Sequence, residues 1–226
     1  MQTARQTSAA RVSPESDSHS RTRSNLPFLI LLTAFALFLA GPARAGCLDH
    51  IGAAEKDAGI PSGLLMAVAL VESGNGGSPT PYVVNVKGKA VYARTQAEAA
   101  RFLRDGQGKL RTNVTVGCMQ LSLTHHRAAF RPVEKMLDPQ ENVRYAARYL
   151  ARLRSETGSW AGAVARYNGG SVKMAKVYQC KVQRTLTELG ADSVTLIDGS
   201  KCGKAQDPHI SPKTRKAFEK SQVATS

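Results

Sequence analysis

The pattern of apolar positions along the chain centres on residues 64–71, eight consecutive apolar side chains between a Pro-Ser start and a Gly stop. Proline in the first turn and glycine after the last turn are typical helix boundaries, so the pattern predicts a short helix that is apolar on every face. Such a helix lies in the middle of a fold. Its last turn carries Glu72, which follows Leu65 and Val68 at helical spacing and therefore shares a face with packed side chains.

Glu72 is the first candidate for chemistry. Burial disfavours the charged form of a carboxyl group, and the partial negative charge at a helix C-terminus acts in the same direction, so both raise its pKa. A carboxyl group that keeps its proton near neutral pH is what a general acid needs. The alternative is that Glu72 is a solvated residue at a helix end, which is the commoner position of glutamate.

Helix caps and hydrophobic spacing predict the other elements. A helix after Cys47 ends at Gly59, and β-prone residues on both sides of a Lys-Gly pair predict a small hairpin over residues 82–92. Capping residues predict four further helices, over residues 95–104, 138–157, 159–167 and 171–190. Residues 191–226 lack periodicity and are rich in Lys, Ser and Gly, which predicts a flexible, cationic tail.

The N-terminal segment has the features of an export signal. Residues 26–40 are almost entirely apolar but too few to span a bilayer comfortably, and Ala43 and Ala45 form a small-residue cleavage site. We expect cleavage after Ala45, so that residues 1–45 are a secretory leader and the remainder is periplasmic, with no stable membrane span. A retained membrane anchor is the alternative, because the segment before the apolar residues is long for a signal peptide.

The four cysteines all lie beyond this cleavage site, which fits an oxidising compartment and allows three complete pairings. They are Cys47, Cys118, Cys180 and Cys202. Cys180 and Cys202 are nearest in sequence and would tie down the tail if paired, whereas Cys118 has the alternative of being a small buried apolar residue. No spacing matches a zinc site, and we expect neither a metal nor another cofactor.

The charge of the chain narrows the choice of partner. Its 226 residues carry a formal net charge of +14, of which residues 1–45 hold +3 and the exported part +11. An exported basic protein needs a polyanionic partner such as an envelope polymer or a membrane surface. Nucleic acid is less available outside the cytoplasm, and the chain lacks the interleaved basic and stacking aromatic residues that bind it.

Two short motifs combine turn-forming and polar residues. In the first, Gly117 allows a tight turn that presents the Gln120 amide among apolar neighbours. In the second, Tyr167 and Asn168 end a predicted helix and place a phenol and an amide at its rim. Taken singly, the first is typical of a buried turn and the second of a helix C-cap.

Four motifs occur in a defined order, and together they resemble the catalytic domain of the family 1 lytic transglycosylases over about residues 47–182. They are Glu72-Ser73-Gly74, Gly117-Cys118-Met119-Gln120-Leu121, Leu137-Asp138-Pro139 with Asn142, and Ala165-Arg166-Tyr167-Asn168-Gly169-Gly170. The chain departs from the family pattern at Cys118, which replaces an aliphatic residue, at Arg166, which replaces a small one, and in the insert after Glu72. The small members that accompany secretion and conjugation machines are the most similar.

The resemblance implies a mainly α, lysozyme-like fold over residues 46–190 with a small β-hairpin insert, and a cleft that holds peptidoglycan glycan strands. Glu72 would protonate the bond between N-acetylmuramic acid and N-acetylglucosamine and then deprotonate the muramic acid C6 hydroxyl, which closes onto C1 as a 1,6-anhydro sugar. Ser73, Met119 and Gln120 would line the cleft. Tyr167 would orient Glu72, and Asn168 would brace the wall. Components of a secretion or conjugation machine are the implied partners.

Two other functions stay open from the sequence. A hydrolase of the same fold uses water and needs a second carboxylate about 5 to 9.5 Å from the first, for which Asp105 and Asp138 are the candidates. A single acid/base suffices when the nucleophile belongs to the substrate, because the substrate holds it at high effective concentration. The second is a non-catalytic peptidoglycan-binding scaffold of an envelope-spanning machine. His125 and His126 are expected to face solvent or the core, without a catalytic role.

Overall fold

The computed structural model describes residues 45–223, so the predicted leader and its cleavage site fall almost entirely outside the described residues. Its helices are α1 (Leu48–Asp57), α2 (Leu64–Ser73), α3 (Gln96–Ala100), α4 (Leu123–His126), α5 (Pro139–Thr157), α6 (Trp160–Tyr167), α7 (Val172–Leu189) and α8 (Pro212–Val223). Its strands are β1 (Gly74–Asn75), β2 (Ser78–Pro79), β3 (Val83–Val86), β4 (Lys89–Tyr92), β5 (Val114–Val116) and β6 (Leu121–Ser122). The fold is mainly α and lysozyme-like with a small β insert, as predicted.

Helix α2 is the centre of the core. Its first six residues are at most 1% exposed, in agreement with the uninterrupted apolar pattern. Helices α1 and α7 pack against it. Because Leu70, Val71 and Glu72 are only half-buried, the helix delivers Glu72 to the edge of the core.

Helix α5 begins and ends where its capping residues predict. The Asp138 side chain accepts a hydrogen bond from the Glu141 N–H, Pro139 occupies the first turn, and Gly158 ends the helix with a left-handed φ of 77°. The apolar face of α5 is buried against α1 and α6. This helix is therefore a rigid support for the loop that precedes it.

The predicted hairpin is present as β3 and β4, with Lys87 and Gly88 in the turn. The sequence did not reveal that β5 and β6 add to it, giving an antiparallel sheet in the order β4-β3-β5-β6. Val84 pairs with Val116 in this sheet. The insert after Glu72 is thus joined by main-chain hydrogen bonds to the Gly117 turn.

The prediction of a flexible tail over residues 191–226 is wrong for its described part, 191–223. This segment packs on the core through Ile197, Ile210 and Phe218, each at most 6% exposed. Helix α8 lies against α1. These apolar contacts are too widely spaced along the chain to form a periodic pattern, which is why the sequence did not predict them.

Two disulfides join the four cysteines. Cys47 pairs with Cys118, and Cys180 pairs with Cys202. This is one of the three pairings that the sequence left open, and it excludes the interpretation of Cys118 as a free apolar residue. The first bond ties the start of α1 to the Gly117 turn, and the second ties the segment after α7 back to that helix. Among residues 45–223, none of the helices is long and apolar enough to cross a membrane.

Candidate active site

A cleft of about 510 Å³ opens where the last turn of α2, the small sheet and the end of α6 meet. The residues around it are mostly polar or aromatic: Glu72, Asn85, Thr115, Gln120, Leu121, Ser122, His125, His126, Tyr149, Arg166, Tyr167, Asn168, Gly169 and Gly170. Four of the six predicted site residues are thereby brought together from distant parts of the chain: Glu72, Gln120, Tyr167 and Asn168.

Glu72 is half-buried in this cleft. The Tyr178 hydroxyl donates a hydrogen bond of 2.6 Å to its Oε1. Burial raises the pKa of Glu72 to about 7, and the Tyr178 hydrogen bond and the Lys181 charge partly oppose that rise. The predicted direction of this shift is confirmed, and its main cause is burial.

The turn that carries Gln120 is held on several sides. Asn142, fully buried, accepts a hydrogen bond from the Met119 N–H and donates to the Val116 and Met136 carbonyls. A Cβ at Gly117, where φ is 81°, would collide with the Asn142 amide. Glycine is therefore required at this position, and Asn142, from the predicted helix opening, fixes the turn to α5.

Gln120 itself adopts a left-handed φ of 46°, which non-glycine residues rarely do. Its Nε2 donates to the Val83 and Gly117 carbonyls, and its Oε1 accepts from the Thr115 hydroxyl at 2.7 Å. Both amide protons are used, so the remaining capacity is one lone pair on Oε1. Gln120 is suited to accept a hydrogen bond from a sugar hydroxyl or acetamido N–H.

Ser73 and Met119 do not present their side chains to the cleft, contrary to the expectation from the resemblance. Ser73 is 3% exposed, and its hydroxyl donates to the Cys118 carbonyl at 2.7 Å. Met119 is fully buried, and its carbonyl accepts a hydrogen bond of 2.8 Å from the Tyr167 hydroxyl. Both residues hold the turn in place from behind.

Comparison with known protein families shows to which family this chain belongs. A family model described as the transglycosylase SLT domain matches residues 49–185, more than half of the chain. The chain belongs to this family. Neither the curated proteins nor the solved structures gave a match. The SLT domain is a peptidoglycan-degrading module of the lytic transglycosylase type, so peptidoglycan is the substrate and the site of action is outside the cytoplasm.

Within the SLT domain, the contact expected of Tyr167 is made by another residue. Tyr167 lies close enough to Glu72 for the carboxylate to add to the rise in its pKa, which burial mainly causes. The hydrogen bond to Glu72 comes instead from Tyr178, on the buried face of α7. Tyr178 was not among the predicted site residues, because its partner lies 106 positions away in the chain.

Both histidines line the cleft of the SLT domain, His125 exposed and His126 half-buried, a position that the sequence did not predict. His126 Nδ1 lies 3.0 Å from the Tyr145 hydroxyl, and its ring packs edge-on against Tyr149. Burial, with smaller effects from His125 and Arg152, lowers the pKa of His126. His126 therefore contributes a neutral ring to the wall of the cleft at pH 7.

The two candidates for a second carboxylate lie elsewhere. Asp138 caps α5, and Asp105 accepts hydrogen bonds from the Gln107 and Lys109 N–H groups in its own loop. Of the described residues that line the cleft, Glu72 is the only acidic one. Within residues 45–223 no three His, Cys, Asp or Glu side chains are grouped so as to hold a metal ion.

Proposed function

We propose that this chain cleaves the β-1,4 bond between N-acetylmuramic acid and N-acetylglucosamine with formation of a 1,6-anhydro sugar, and that Glu72 is its sole acid/base. The proposal rests above all on the single carboxyl group among the described residues of the cleft. A hydrolase with two carboxylates would need a second one about 5 to 9.5 Å from the first.

The chemistry needs Glu72 in both protonation states. Protonated Glu72 gives its proton to the glycosidic oxygen as the C1–O bond breaks and the N-acetylglucosamine 4-hydroxyl leaves. The resulting carboxylate takes the proton of the muramic acid C6 hydroxyl while that oxygen bonds C1, so no water is consumed. A pKa of about 7 gives Glu72 access to both states near neutral pH.

The other cleft residues bind and position substrate in this proposal. Gln120 accepts a hydrogen bond from the muramic acid, while Asn168, which is exposed at the rim, and Tyr167 form the facing wall. Ser73 and Met119 support this geometry through the hydrogen bonds of the turn. Their substrate-binding role is thus indirect.

The test is product analysis with purified sacculi. We expect muropeptides that end in 1,6-anhydro-muramic acid, each one water lighter than the hydrolytic product, and release that is about 10³-fold slower from the Glu72→Gln protein. Reducing ends would identify a hydrolase of the same fold. Release that is equal for the wild type and Glu72→Gln would contradict the catalytic assignment, and no release from either would favour the scaffold function.

We further propose that the enzyme is exported by its N-terminal leader and opens the wall locally for a secretion or conjugation machine. The two disulfides support an oxidising compartment. The role of a machine partner rests on the resemblance to the small members of the family that accompany such machines. Cells that carry Glu72→Gln should lose transfer through such a machine while keeping normal growth. Unchanged transfer would refute this role.

A further inference from the structure

A second groove, of about 440 Å³, lies beside the last turn of α2, and the proposed reaction does not use it. One side consists of residues that flank Glu72 in the chain, and α7 forms another. The third side is the segment 206–210, which lies beyond the end of the family match at residue 185. This wall is therefore a feature of the present chain rather than of the SLT domain as such.

The segment that forms this wall is anchored at both ends. The Cys180–Cys202 disulfide attaches its start to α7. Its end is attached to the β1–β2 turn after Glu72, because the Ser211 N–H and the Thr214 hydroxyl both donate to the Gly77 carbonyl, at 3.0 and 2.8 Å. A Cβ at Gly77 would collide with the Ser211 nitrogen. The groove is thus a built feature with a fixed outer wall.

The groove is cationic. Lys181 and Arg184 line it, and its lining contains no Asp or Glu among the described residues. Neither Lys181 nor Arg184 forms an ion pair with a carboxylate within residues 45–223, although Arg184 donates a hydrogen bond of 3.4 Å to the Gly203 carbonyl. Such a lining favours a ligand that carries carboxylates.

The groove lies close to Glu72. Leu70, Val71 and Gly74 line it immediately before and after Glu72 in the chain, and the Lys181 charge acts on the Glu72 carboxyl. Peptidoglycan carries an acidic peptide on the lactyl group of its muramic acid. A peptide of about four residues spans up to roughly 14 Å, enough to leave the cleft and enter a neighbouring groove.

We propose that this groove, built by the disulfide-anchored segment 206–210 and by α7, binds carboxylates of the peptide that branches from the muramic acid sugar. The inference rests on the proposed function and adds a specificity to it: the enzyme prefers glycan strands that bear peptides to strands that lack them. Arg184 and Lys181 are the residues that bind the carboxylates of the peptide.

The experiment compares two substrates, intact glycan strands with their peptides and the same strands after an amidase has removed them. Arg184→Gln removes the charge but keeps a donor for the Gly203 carbonyl. We expect this variant to raise KM about three- to tenfold on peptide-bearing strands and to leave KM on stripped strands unchanged. Lys216→Gln, which removes one charge from the exposed face of α8, is the matched control and should change neither value.

A second variant and a second measurement guard against a folding defect. For Lys181→Gln, the ratio of the KM values for the two substrates is measured. The effect of Lys181 on the pKa of Glu72 is the same for both substrates and therefore cancels in this ratio. Binding of a free acidic tetrapeptide to the Glu72→Gln protein should be weak, salt-sensitive and lost in the Arg184→Gln background.

Each outcome decides the question. If Arg184→Gln raises KM equally for both substrates, the groove binds sugar or supports the fold, and the proposal is wrong. If it changes KM for neither substrate, the groove binds no substrate, and the proposal is equally wrong. Formation of anhydro products by the wild type from either substrate shows that the proposed function stands in each case, whereas absence of those products from both substrates would refute the function itself.

Discussion

Two carboxyl groups lie at opposite ends of α2, and burial raises the pKa of both to about 7. Glu55, from α1, is 3% exposed at the N-terminal end. Its Oε1 accepts the N–H groups of Leu65 and Met66 at 2.8 and 3.1 Å, and its Oε2 accepts that of Gly63 at 3.1 Å. These are N–H groups of the first turn, which have no partner within the helix. Glu55 therefore acts as a cap supplied from another helix.

Glu72, at the C-terminal end, has the same raised pKa in a different setting. Among the described residues a single donor, Tyr178, bonds its Oε1, and the carboxyl group lines an open cleft. Its Oε2 is therefore available to a substrate. The comparison shows that a raised pKa alone does not identify a general acid. A general acid also needs a carboxyl group that substrate can reach and that has an oxygen without a hydrogen-bond partner in the protein.

The largest expected effect is a difference in enzymatic activity between variants of the two carboxyl groups. Glu72→Gln removes the acid/base and should lower the rate of anhydro-muropeptide release by about 10³-fold, whereas Glu55→Gln should leave it within about threefold at a temperature where the variant is folded. Initial rates on sacculi, with far-UV circular dichroism as the folding control, measure both. A loss of equal size in Glu55→Gln would mean that the two ends of α2 are not functionally distinct.

Stability should show the opposite order. The amide nitrogen that Glu55→Gln introduces cannot accept the Gly63 N–H, so this substitution leaves one buried donor without an acceptor and should cost about 1–3 kcal/mol in the free energy of unfolding at pH 5. Glu72→Gln should cost less than about 1 kcal/mol, because its side chain is half-buried and has one neutral donor. Urea titration of both variants checks this, and an equal loss would contradict the capping role of Glu55.

The pH dependence of stability follows from the same two groups. Their folded pKa of about 7 exceeds the ordinary 4.5, so the folded state binds more protons between these values. The stabilisation that these two groups contribute to the folded state is fully present below pH 4.5 and is lost as pH rises through about 7. The melting temperature should fall over this window, and the fall should be shallower in Glu55→Gln. A wild type whose melting temperature rises from about pH 5 to about pH 7.5 would exclude this assignment.

The comparison also shows what local sequence could and could not predict. The helix boundaries of α2, α5 and α7 depend on caps and apolar spacing within a few residues, and these were predicted correctly. The roles of Glu55 and Tyr178 depend on packing between helices: Glu55 is an ordinary helix residue until α1 meets the start of α2. No spacing rule joins Tyr178 to Glu72.

The same limit explains the errors in the site and in the C-terminal segment. Ser73 and Met119 stand beside Glu72 and Gln120 in the chain, but neighbouring side chains on a helix end or in a turn point in different directions, so theirs are buried. The segment 191–223 is held by one disulfide and a few separate anchors such as Phe218. Such isolated contacts cannot be predicted from the sequence of the segment, because they depend on partners on α1 and α7.

A smaller effect tests the hydrogen bond that distinguishes Glu72. Tyr178 donates to the carboxyl group and so favours its ionised form, and Tyr178→Phe should raise the pKa of Glu72 further. The alkaline limb of the pH–rate profile should move to higher pH, and the maximal rate should fall about tenfold because the carboxyl group is less well oriented. Tyr145→Phe, whose hydroxyl contacts His126 instead, is the control and should leave the limb in place. A shift towards lower pH would overturn the assignment.

The smallest expected effect concerns Lys181. Its side chain is exposed and lowers the pKa of Glu72 through space, without a hydrogen bond. Lys181→Gln should therefore move the alkaline limb upward by only a fraction of a pH unit, less than Tyr178→Phe does. Since the Debye length is about 10 Å at 0.1 M salt and about 3 Å at 1 M, the difference from the wild type should be measurable at low ionic strength and absent at high. Glycan strands without peptides are the substrate for this measurement, because they isolate the effect on Glu72. A shift that persists at about 1 M salt would mean that Lys181 acts on the position of Glu72 rather than on its charge.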